Sequence, residues 1–303
     1  MTSGAAAREM VAILPAERSA MPEPEIVMTG LTLGESPRWH DGRLWVCNWI
    51  SGQVLAIALD GHGEMICTVP TPIPFSIDWD GDGRLLVVSG QEGKLLRLEE
   101  DGAFTTVADL GAISPHPWNE LVVDSGGNAY VNTIGFDMMG GGQPAPGAIA
   151  LVTPDGAARE VLRGGMFPNG MAITPDDATL IVAESYGRRL TAFDIADDGS
   201  LRNGRVWADL GDGVPDGICL DASGAVWYAD VPNRRCVRVR EGGEVLDTVT
   251  LDRGCFACML GGDERRTLCI TAAVWGGSEG IGEGDPTGQV VAVEVEVPGA
   301  GRP

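Results

Sequence analysis

The sequence has no run of 18 consecutive apolar residues, the shortest length that spans a bilayer as a helix, so we expect no membrane-spanning segment and no membrane partner. The first 24 residues also lack the apolar core of a signal peptide, because charged residues such as Arg8, Glu9 and Glu17 interrupt their apolar positions. We therefore predict that residues 1–24 form a poorly ordered leader outside the folded domain.

Basic residues are scarce. Only 21 Lys and Arg stand against 43 Asp and Glu, which gives a formal net charge of −22. A field of this sign repels phosphate backbones and anionic lipid surfaces, so it argues against nucleic acid as a partner. It also disfavours polyanionic substrates, whereas neutral molecules and divalent cations are admitted. Much of the excess serves to keep a β-rich surface soluble, whatever the function.

Histidine is rarer still, and the three His residues show no ligand spacing. Most of the seven cysteines fall within predicted strands, where a reduced thiol behaves as a small apolar side chain. Cys255 and Cys258 form one CxxC pair with no second pair, so neither a zinc site nor a redox motif is expected. Reduced thiols predict a cytoplasmic location.

Helical patterning is absent from every long stretch, whereas 44 Gly and 19 Pro are spread along the chain as turn punctuation. One unit recurs between them. Its clearest copy is 168–184 (PNGMAITPDDATLIVAE), which has a polar residue, a short apolar strand, a Pro/Asp turn and a second strand rich in β-branched residues. This pattern predicts a chain of repeated β-hairpins.

Six copies of this unit begin at positions 35, 75, 119, 169, 216 and 256, so the steps are 40, 44, 50, 47 and 40 residues. A period of about 40–50 residues marks a propeller blade of four strands. We predict an all-β fold in which residues 25–303 form a single six-bladed β-propeller with four antiparallel strands per blade. Segments 25–28 and 289–297 should pair in one blade and close the ring, because closure removes exposed sheet edges.

Two connections are longer than the others, 135–147 and 273–288. Both are rich in glycine and lie between the second and third strands of their blades. We expect them to project over one face of the ring, where long loops more often carry function.

The residue that opens the innermost strand of each blade should point into the central channel. These six residues are Glu35, Phe75, Asn119, Asn169, Asp216 and Phe256. Four of them carry side-chain oxygens, which are costly to bury without a partner and which together suit a divalent cation. The Asn-Gly and Asp-Gly pairs at 169 and 216 have a second interpretation as plain turn residues.

At these positions the sequence resembles the regucalcin/gluconolactonase family of six-bladed propeller lactonases. The resemblance covers the chain from about Glu25 onward and rests on GESPRW at 34–39, on Asn119 before an apolar strand, on Asn169-Gly170 and on DGICLD at 216–221. It implies one divalent cation held by Glu35, Asn169 and Asp216, with Asn119 beside metal and substrate. Ca²⁺ is the first candidate, and Mn²⁺, Mg²⁺ and Zn²⁺ are alternatives.

The resemblance implies hydrolysis of a lactone or a related ester by water, with Asp216 and Asn119 as the catalytic residues. Two assignments of the base stay open: Asp216 accepts the proton from water, or the metal generates hydroxide and Asp216 only positions it.

The substrate is expected to be small and neutral. Sugar-lactone hydrolases of the family carry an Arg two residues before the Asn at position 119, and this chain has Pro117 there. We predict a pocket with the substrate-binding residues Phe75, Trp118, Asn119, Phe136, Met138, Phe167 and Phe256. Such a lining favours a substrate more apolar than gluconolactone, because hydroxyl groups buried without partners are costly.

Two other functions fit the same sequence. The metal site could serve a different reaction, because fold alone does not fix chemistry. Alternatively the ring could bind calcium or another ligand and catalyse nothing. Intact Glu35, Asn169 and Asp216 favour the enzyme. The sequence leaves the oligomeric state and the identity of the metal open.

Overall fold

The computed structural model describes residues 21–71, 73–138, 140–277 and 284–301, and within them the chain forms 24 strands in six four-stranded antiparallel sheets. The described part contains no helix, so no helix there could cross a bilayer. Most of the leader predicted for residues 1–24 lies outside the described residues. The extent of the domain, residues 25–303, stays a prediction.

The sheets follow one another along the chain as blades, each of which runs from an innermost strand outward. Blade 1 consists of β2 (Leu33–His40), β3 (Arg43–Trp49), β4 (Gln53–Ile57) and β5 (Gly63–Thr68). Blade 2 consists of β6 (Phe75–Trp79), β7 (Leu85–Ser89), β8 (Lys94–Leu98) and β9 (Phe104–Asp109). Blade 3 consists of β10 (Trp118–Val123), β11 (Ala129–Thr133), β12 (Ala148–Val152) and β13 (Ala158–Arg163).

The second half of the chain repeats the plan. Blade 4 consists of β14 (Pro168–Ile173), β15 (Thr179–Glu184), β16 (Arg189–Ile195) and β17 (Leu201–Asp209). Blade 5 consists of β18 (Pro215–Leu220), β19 (Val226–Asp230), β20 (Arg235–Val239) and β21 (Val245–Thr250). Blade 6 consists of β22 (Gly254–Gly261), β23 (Thr267–Ala273), β24 (Gly288–Glu294) and, as its outermost strand, β1 (Glu25–Leu31).

The innermost strands form a closed ring, because each contacts the next in the order β2, β6, β10, β14, β18, β22 and then β2 again. The predicted six-bladed propeller is therefore confirmed. Its closure is confirmed as well: β1 pairs antiparallel with β24, with Glu25 opposite Ala292 and Leu31 opposite Gly288.

Aspartates build the turns that follow the inner strands, at the end of the ring away from the first residues of those strands. Asp80 Oδ1 accepts hydrogen bonds from the backbone N of Asp82 and Arg84, and Asp221 Oδ1 accepts them from Ser223 and Ala225. Short side chains that cap their own turn in this way favour a tight hairpin. Part of the acidic excess is thus a structural requirement of the repeat.

The core lies between neighbouring blades, where buried side chains of adjacent sheets interdigitate. The largest buried cluster joins blades 5, 6 and 1 and includes Leu31 of the closing strand, Trp227, Leu260 and Val290. Burial on both faces explains why strand β12 (AIALV) is apolar at every position.

The closing strand supplies a direct test of how much ring closure stabilises the fold. Leu31 is 2 % exposed, whereas Ile26 in the same strand is 60 % exposed. We expect Leu31→Ala to lower the free energy of unfolding by about 2–5 kcal/mol, because it leaves a cavity at the seam. Ile26→Ala is the matched control, with an expected change below about 0.5 kcal/mol. Urea unfolding measures both, and equal effects would contradict a closing role for Leu31.

Candidate metal and substrate site

The four oxygen-bearing residues predicted at the channel lie together at one end of the ring. Glu35, Asn119, Asn169 and Asp216 stand near the start of inner strands β2, β10, β14 and β18, and all four line one cavity of about 300 Å³. Residues from four separate blades, far apart in sequence, thus face a common space.

A β-bulge places three of these side chains, whereas Glu35 precedes the bulge of its own strand, which lies at 36–37. In β10 the residues Asn119 and Glu120 together oppose the single residue Asn132, because the register passes from Trp118–Thr133 to Leu121–Val131. Strands β14 and β18 are interrupted in the same way, at 169–170 and 216–217. A bulge bends the strand and re-aims its side chains. The repeated bulge therefore turns Asn119, Asn169 and Asp216 toward the axis.

The glycines that follow Asn169 and Asp216 allow the inner strands to approach closely. A Cβ built on Gly170 would lie 2.5 Å from the carbonyl oxygen of Asp216 and 2.6 Å from the backbone N of Ile218. A Cβ on Gly217 would overlap the Cβ of Ala257 in the next blade. Both pairs lie within strands, so the alternative interpretation as turn residues is wrong.

Hydrogen bonds orient the two carboxamides. Asn119 Nδ2 donates to Asn169 Oδ1 at 3.1 Å, and Asn169 Nδ2 donates to Ser185 Oγ at 3.3 Å. Ser185 Oγ in turn donates to the carbonyl oxygen of Pro215 at 2.7 Å. A carboxamide oxygen has two lone pairs, so Asn169 Oδ1 can accept from Asn119 and still face a cation.

The carboxylates of the site are buried and repel one another. Burial raises the pKa of Glu35 well above its ordinary value, and the charges of Asp216 and Glu120 raise it further. Burial and Glu120 likewise raise the pKa of Asp216, while a hydrogen bond from Asn169 opposes the shift. Below them Glu120 forms a buried ion pair with Arg38, at 2.9 Å between Oε1 and Nη2. Negative charge is therefore in excess at the axis.

This environment fits a hard divalent cation. Two carboxylates and two carboxamides offer only oxygen donors, which is the ligand set that Ca²⁺, Mg²⁺ and Mn²⁺ prefer. A cation would also relieve the repulsion that raises both pKa values. Within the described residues no three His, Cys, Asp or Glu side chains form a metal cluster, so a cation here would need the carboxamides as well.

The predicted substrate-binding residues divide into three groups: those that line the cavity, one that packs behind the lining, and two that lie between blades. Phe167, Met138 and Phe256 line the cavity, as Asn119 does. Phe136 packs behind Phe167, with ring centroids 5.8 Å apart.

Phe75 and Trp118 do not reach the cavity. Both are fully buried between blades. Strand β6 pairs with β7 in unbroken register from Phe75 to Trp79, so no bulge turns Phe75 to the axis. Trp118 precedes the bulge of β10 and packs in the core between blades 2 and 3. The expectation that these two rings bind substrate is corrected accordingly.

Comparison with known proteins identifies the family. Residues 33–274 match the model of the SMP-30/Gluconolactonase/LRE-like region. The chain belongs to this family.

Relatives of known activity are similar over most of their length. A pentonolactonase from Haloferax volcanii is 26 % identical over 289 residues, which cover 92 % of this chain and 95 % of that protein. An L-arabinolactonase from Azospirillum brasilense is 27 % identical over 270 residues, or 84 % and 85 % of the two chains. The crystal structure of regucalcin from Agrobacterium tumefaciens, a calcium-binding protein, shares the fold with a TM-score of 0.77 at 19 % identity, covering 93 % of this chain and 97 % of its own.

Several residues that line the cavity were not predicted from the sequence. Ser185 and Tyr186 directly follow β15, and Trp275 lies in the loop 273–288, of which residues 278–283 are outside the described part. An aromatic residue just after the second strand of a blade indicates such a position. The end of the second strand lies at the same end of the ring as the start of the inner strand.

The close approach of blades 4 and 5 can be tested by substitution. We expect Gly170→Ala to destabilise the protein by about 1–3 kcal/mol, because the added methyl group overlaps backbone atoms of β18. Gly81→Ala is the control, since a Cβ there meets no atom within 4 Å. Urea unfolding measures the free energy of unfolding of both variants. An unchanged stability of Gly170→Ala would show that the two strands are not held as described.

Proposed function

We propose that this chain is a metal-dependent hydrolase that opens a small neutral lactone, or a closely related ester, with one divalent cation on the ring axis. The observation that carries the proposal is the convergence of Glu35, Asn119, Asn169 and Asp216 on one cavity. The lactonase activities of family members support it. Ca²⁺ is the first candidate for the metal, and a cytoplasmic location stays a prediction.

Glu35, Asn169 and Asp216 would hold the cation. When bound, it supplies Lewis-acid chemistry by polarising a carbonyl group and lowering the pKa of water. Asn119 Nδ2 has a second N–H besides the one given to Asn169, and this N–H is available to the lactone carbonyl oxygen.

Asp216 would accept the proton from water, because it is a carboxylate that lines the cavity at the candidate cation site. Water then attacks the carbonyl carbon and the ring C–O bond breaks. The proton passes to the departing alkoxide, so the product is a hydroxy acid and no other reactant is needed.

The lining of the cavity sets limits on the substrate. Within the described residues it contains no Lys, Arg or His, and its charged members are Glu35, Asp137 and Asp216. Apart from the proposed cation, a substrate with a carboxylate, sulfonate or phosphate group would find no cationic side chain in this described lining. Most other lining residues are apolar. These features support a neutral substrate with fewer hydroxyl groups than gluconolactone.

Metal titration tests the site itself. We expect chelator-treated protein to lose lactone hydrolysis and to regain it with Ca²⁺ or Mn²⁺. Asp216→Ala should weaken cation binding and turnover by at least about a hundredfold, because it removes a direct ligand. Asp137→Ala is the matched control, since Asp137 lines the same cavity on an exposed loop. Isothermal titration and rates on a lactone panel measure both properties.

Three outcomes of this experiment differ in meaning. Loss of binding and turnover in Asp216→Ala alone supports the hydrolase. Tight cation binding with no turnover of any lactone or ester would replace it with a calcium-binding ring or another reaction. A wild-type protein that binds no divalent cation would overturn the metal site.

Pro117 supplies a second test, on substrate polarity. It lines the cavity, and its carbonyl oxygen accepts a hydrogen bond from Thr133 Oγ1 at 2.7 Å, a contact that any residue at this position would keep. We expect Pro117→Arg to raise kcat/KM for gluconolactone by about tenfold relative to an alkyl lactone, because the guanidinium group supplies donors for hydroxyl groups. A wild-type preference for gluconolactone over alkyl lactones would contradict the proposed substrate class.

A further inference from the structure

The mouth of the cavity has an aromatic wall on blade 4. Phe167 and Tyr186 lie with ring centroids 4.8 Å apart, and Phe136 stands behind both. Phe167 is 9 % exposed, whereas Tyr186 is 50 % exposed although it lines the cavity. The wall thus has a buried base and a solvent-facing ring at its tip.

A second aromatic wall stands on blade 6. Phe256 and Trp275 meet edge to face, with centroids 5.5 Å apart. The pair repeats the arrangement of the first wall: Phe256 is 4 % exposed and Trp275 is 38 % exposed. Both residues line the cavity that contains the candidate metal ligands.

Blade 5 lies between the two walls and closes the space below them with apolar side chains. Val214 precedes β18, and Val231 and Pro232 follow β19, so all three come from loops at the same end of the ring as Asp216. We call the space bounded by these loops and the two walls the aromatic cleft. Its residues are Phe167, Tyr186, Val214, Val231, Pro232, Phe256 and Trp275.

Backbone hydrogen bonds hold Phe167, the base of the blade 4 wall, in a strained conformation. Phe167 has φ of +60°, a left-handed conformation that a bulky residue rarely adopts. Two hydrogen bonds fix it: Ser185 N donates to Phe167 O at 3.0 Å, and Tyr186 N donates to Met166 O at 3.1 Å. Strain of this kind persists where the surrounding structure imposes it and is concentrated at ligand sites.

Two large aromatic rings that are partly exposed on facing sides of one cavity entrance form an apolar surface of the kind that marks a ligand-binding groove. The charges of the site lie on the axis, beside the cleft and not within it. A molecule that spans both must therefore be polar at one end and apolar at the other. Aromatic faces suit alkyl and aryl groups alike.

We propose that the aromatic cleft binds an alkyl or aryl substituent carried on the lactone ring, and that Tyr186 and Trp275 determine the preferred length of this substituent. The proposal rests on the proposed hydrolase function, because it places the lactone group at Glu35, Asn169 and Asp216. The substrate class is then a neutral lactone with an apolar side chain.

Kinetics on a chain-length series tests this specificity. For γ-lactones with side chains from methyl to hexyl, kcat/KM of the wild type should rise by about threefold per methylene, somewhat below the gain for full burial. In Tyr186→Ser combined with Trp275→Ser the rise of kcat/KM with chain length should disappear. Tyr186→Phe keeps the ring and should retain the rise. Val206→Ala, at a side chain that is 55 % exposed on the outer strand of blade 4, is the surface control.

Binding of γ-alkyl lactams separates the cleft from catalysis, because their amide bond resists hydrolysis. Calorimetry should show that lactam affinity rises with chain length in the wild type and does not change with chain length in the double variant. A flat series in wild type overturns the proposal, whatever the turnover. A rising series without hydrolysis of any lactone would support the cleft and overturn the proposed function. A rise that persists in the double variant would also overturn the roles of Tyr186 and Trp275.

Discussion

The structure depends on how closely six strands can approach a common axis. Each inner strand packs against the next, and glycines occupy three consecutive points of contact: Gly170 against β18, Gly217 against β22 and Gly261 against Trp39 of β2. Side chains at these points would force the blades apart. Because the blades can close tightly, residues distant in sequence come within reach of one ligand. The site is therefore a property of the ring and not of any one blade.

The charge along the axis follows from the same packing. Arg38 donates to Glu120 and to the carbonyl oxygen of Leu121, and it is the cation buried beneath the candidate ligands. Arg38 pairs with Glu120, and burial together with the charges of neighbouring carboxylates still raises the pKa values of Glu35 and Asp216. The surplus is local to one end of the channel. A net charge of −22 over the whole chain strengthens the potential that draws a divalent cation there.

Much of the fold was readable from sequence because each blade repeats the same hairpin, and equivalent positions identified Glu35, Asn119, Asn169 and Asp216 as neighbours. The limits of such reading are shown by Phe75 and Phe256, which hold the same place in their repeats. Strand β22 has a bulge at Phe256, and the ring of Phe256 therefore faces the cavity. Strand β6 has no bulge at Phe75. A shift of one residue moves a side chain to the other face of a strand, and no residue type announces a bulge.

Tyr186 and Trp275 follow the second strands of their blades, as Phe136 and Met138 do in blade 3. No single residue type marks these positions in the repeat, so the sequence did not single out Tyr186 and Trp275. Their place at the cavity follows from antiparallel pairing, which puts the ends of β15 and β23 beside the starts of β14 and β22: Glu184 pairs with Pro168, and Ala273 pairs with Gly254.

The seam in blade 6 has a consequence for how the chain reaches this state. Pairing of Glu25 with Ala292 joins the two ends of the domain, so β1 must wait for β24 during synthesis from the N-terminus. Until then β1 is a strand without a sheet, and in a newly completed chain β24 has an unpaired edge until β1 docks on it. Two completed chains in which β1 has not yet docked satisfy both needs if they exchange their first strands, which would link rings into dimers or chains of rings. The pairing that closes the ring is thus also the point at which crowded new chains would exchange strands.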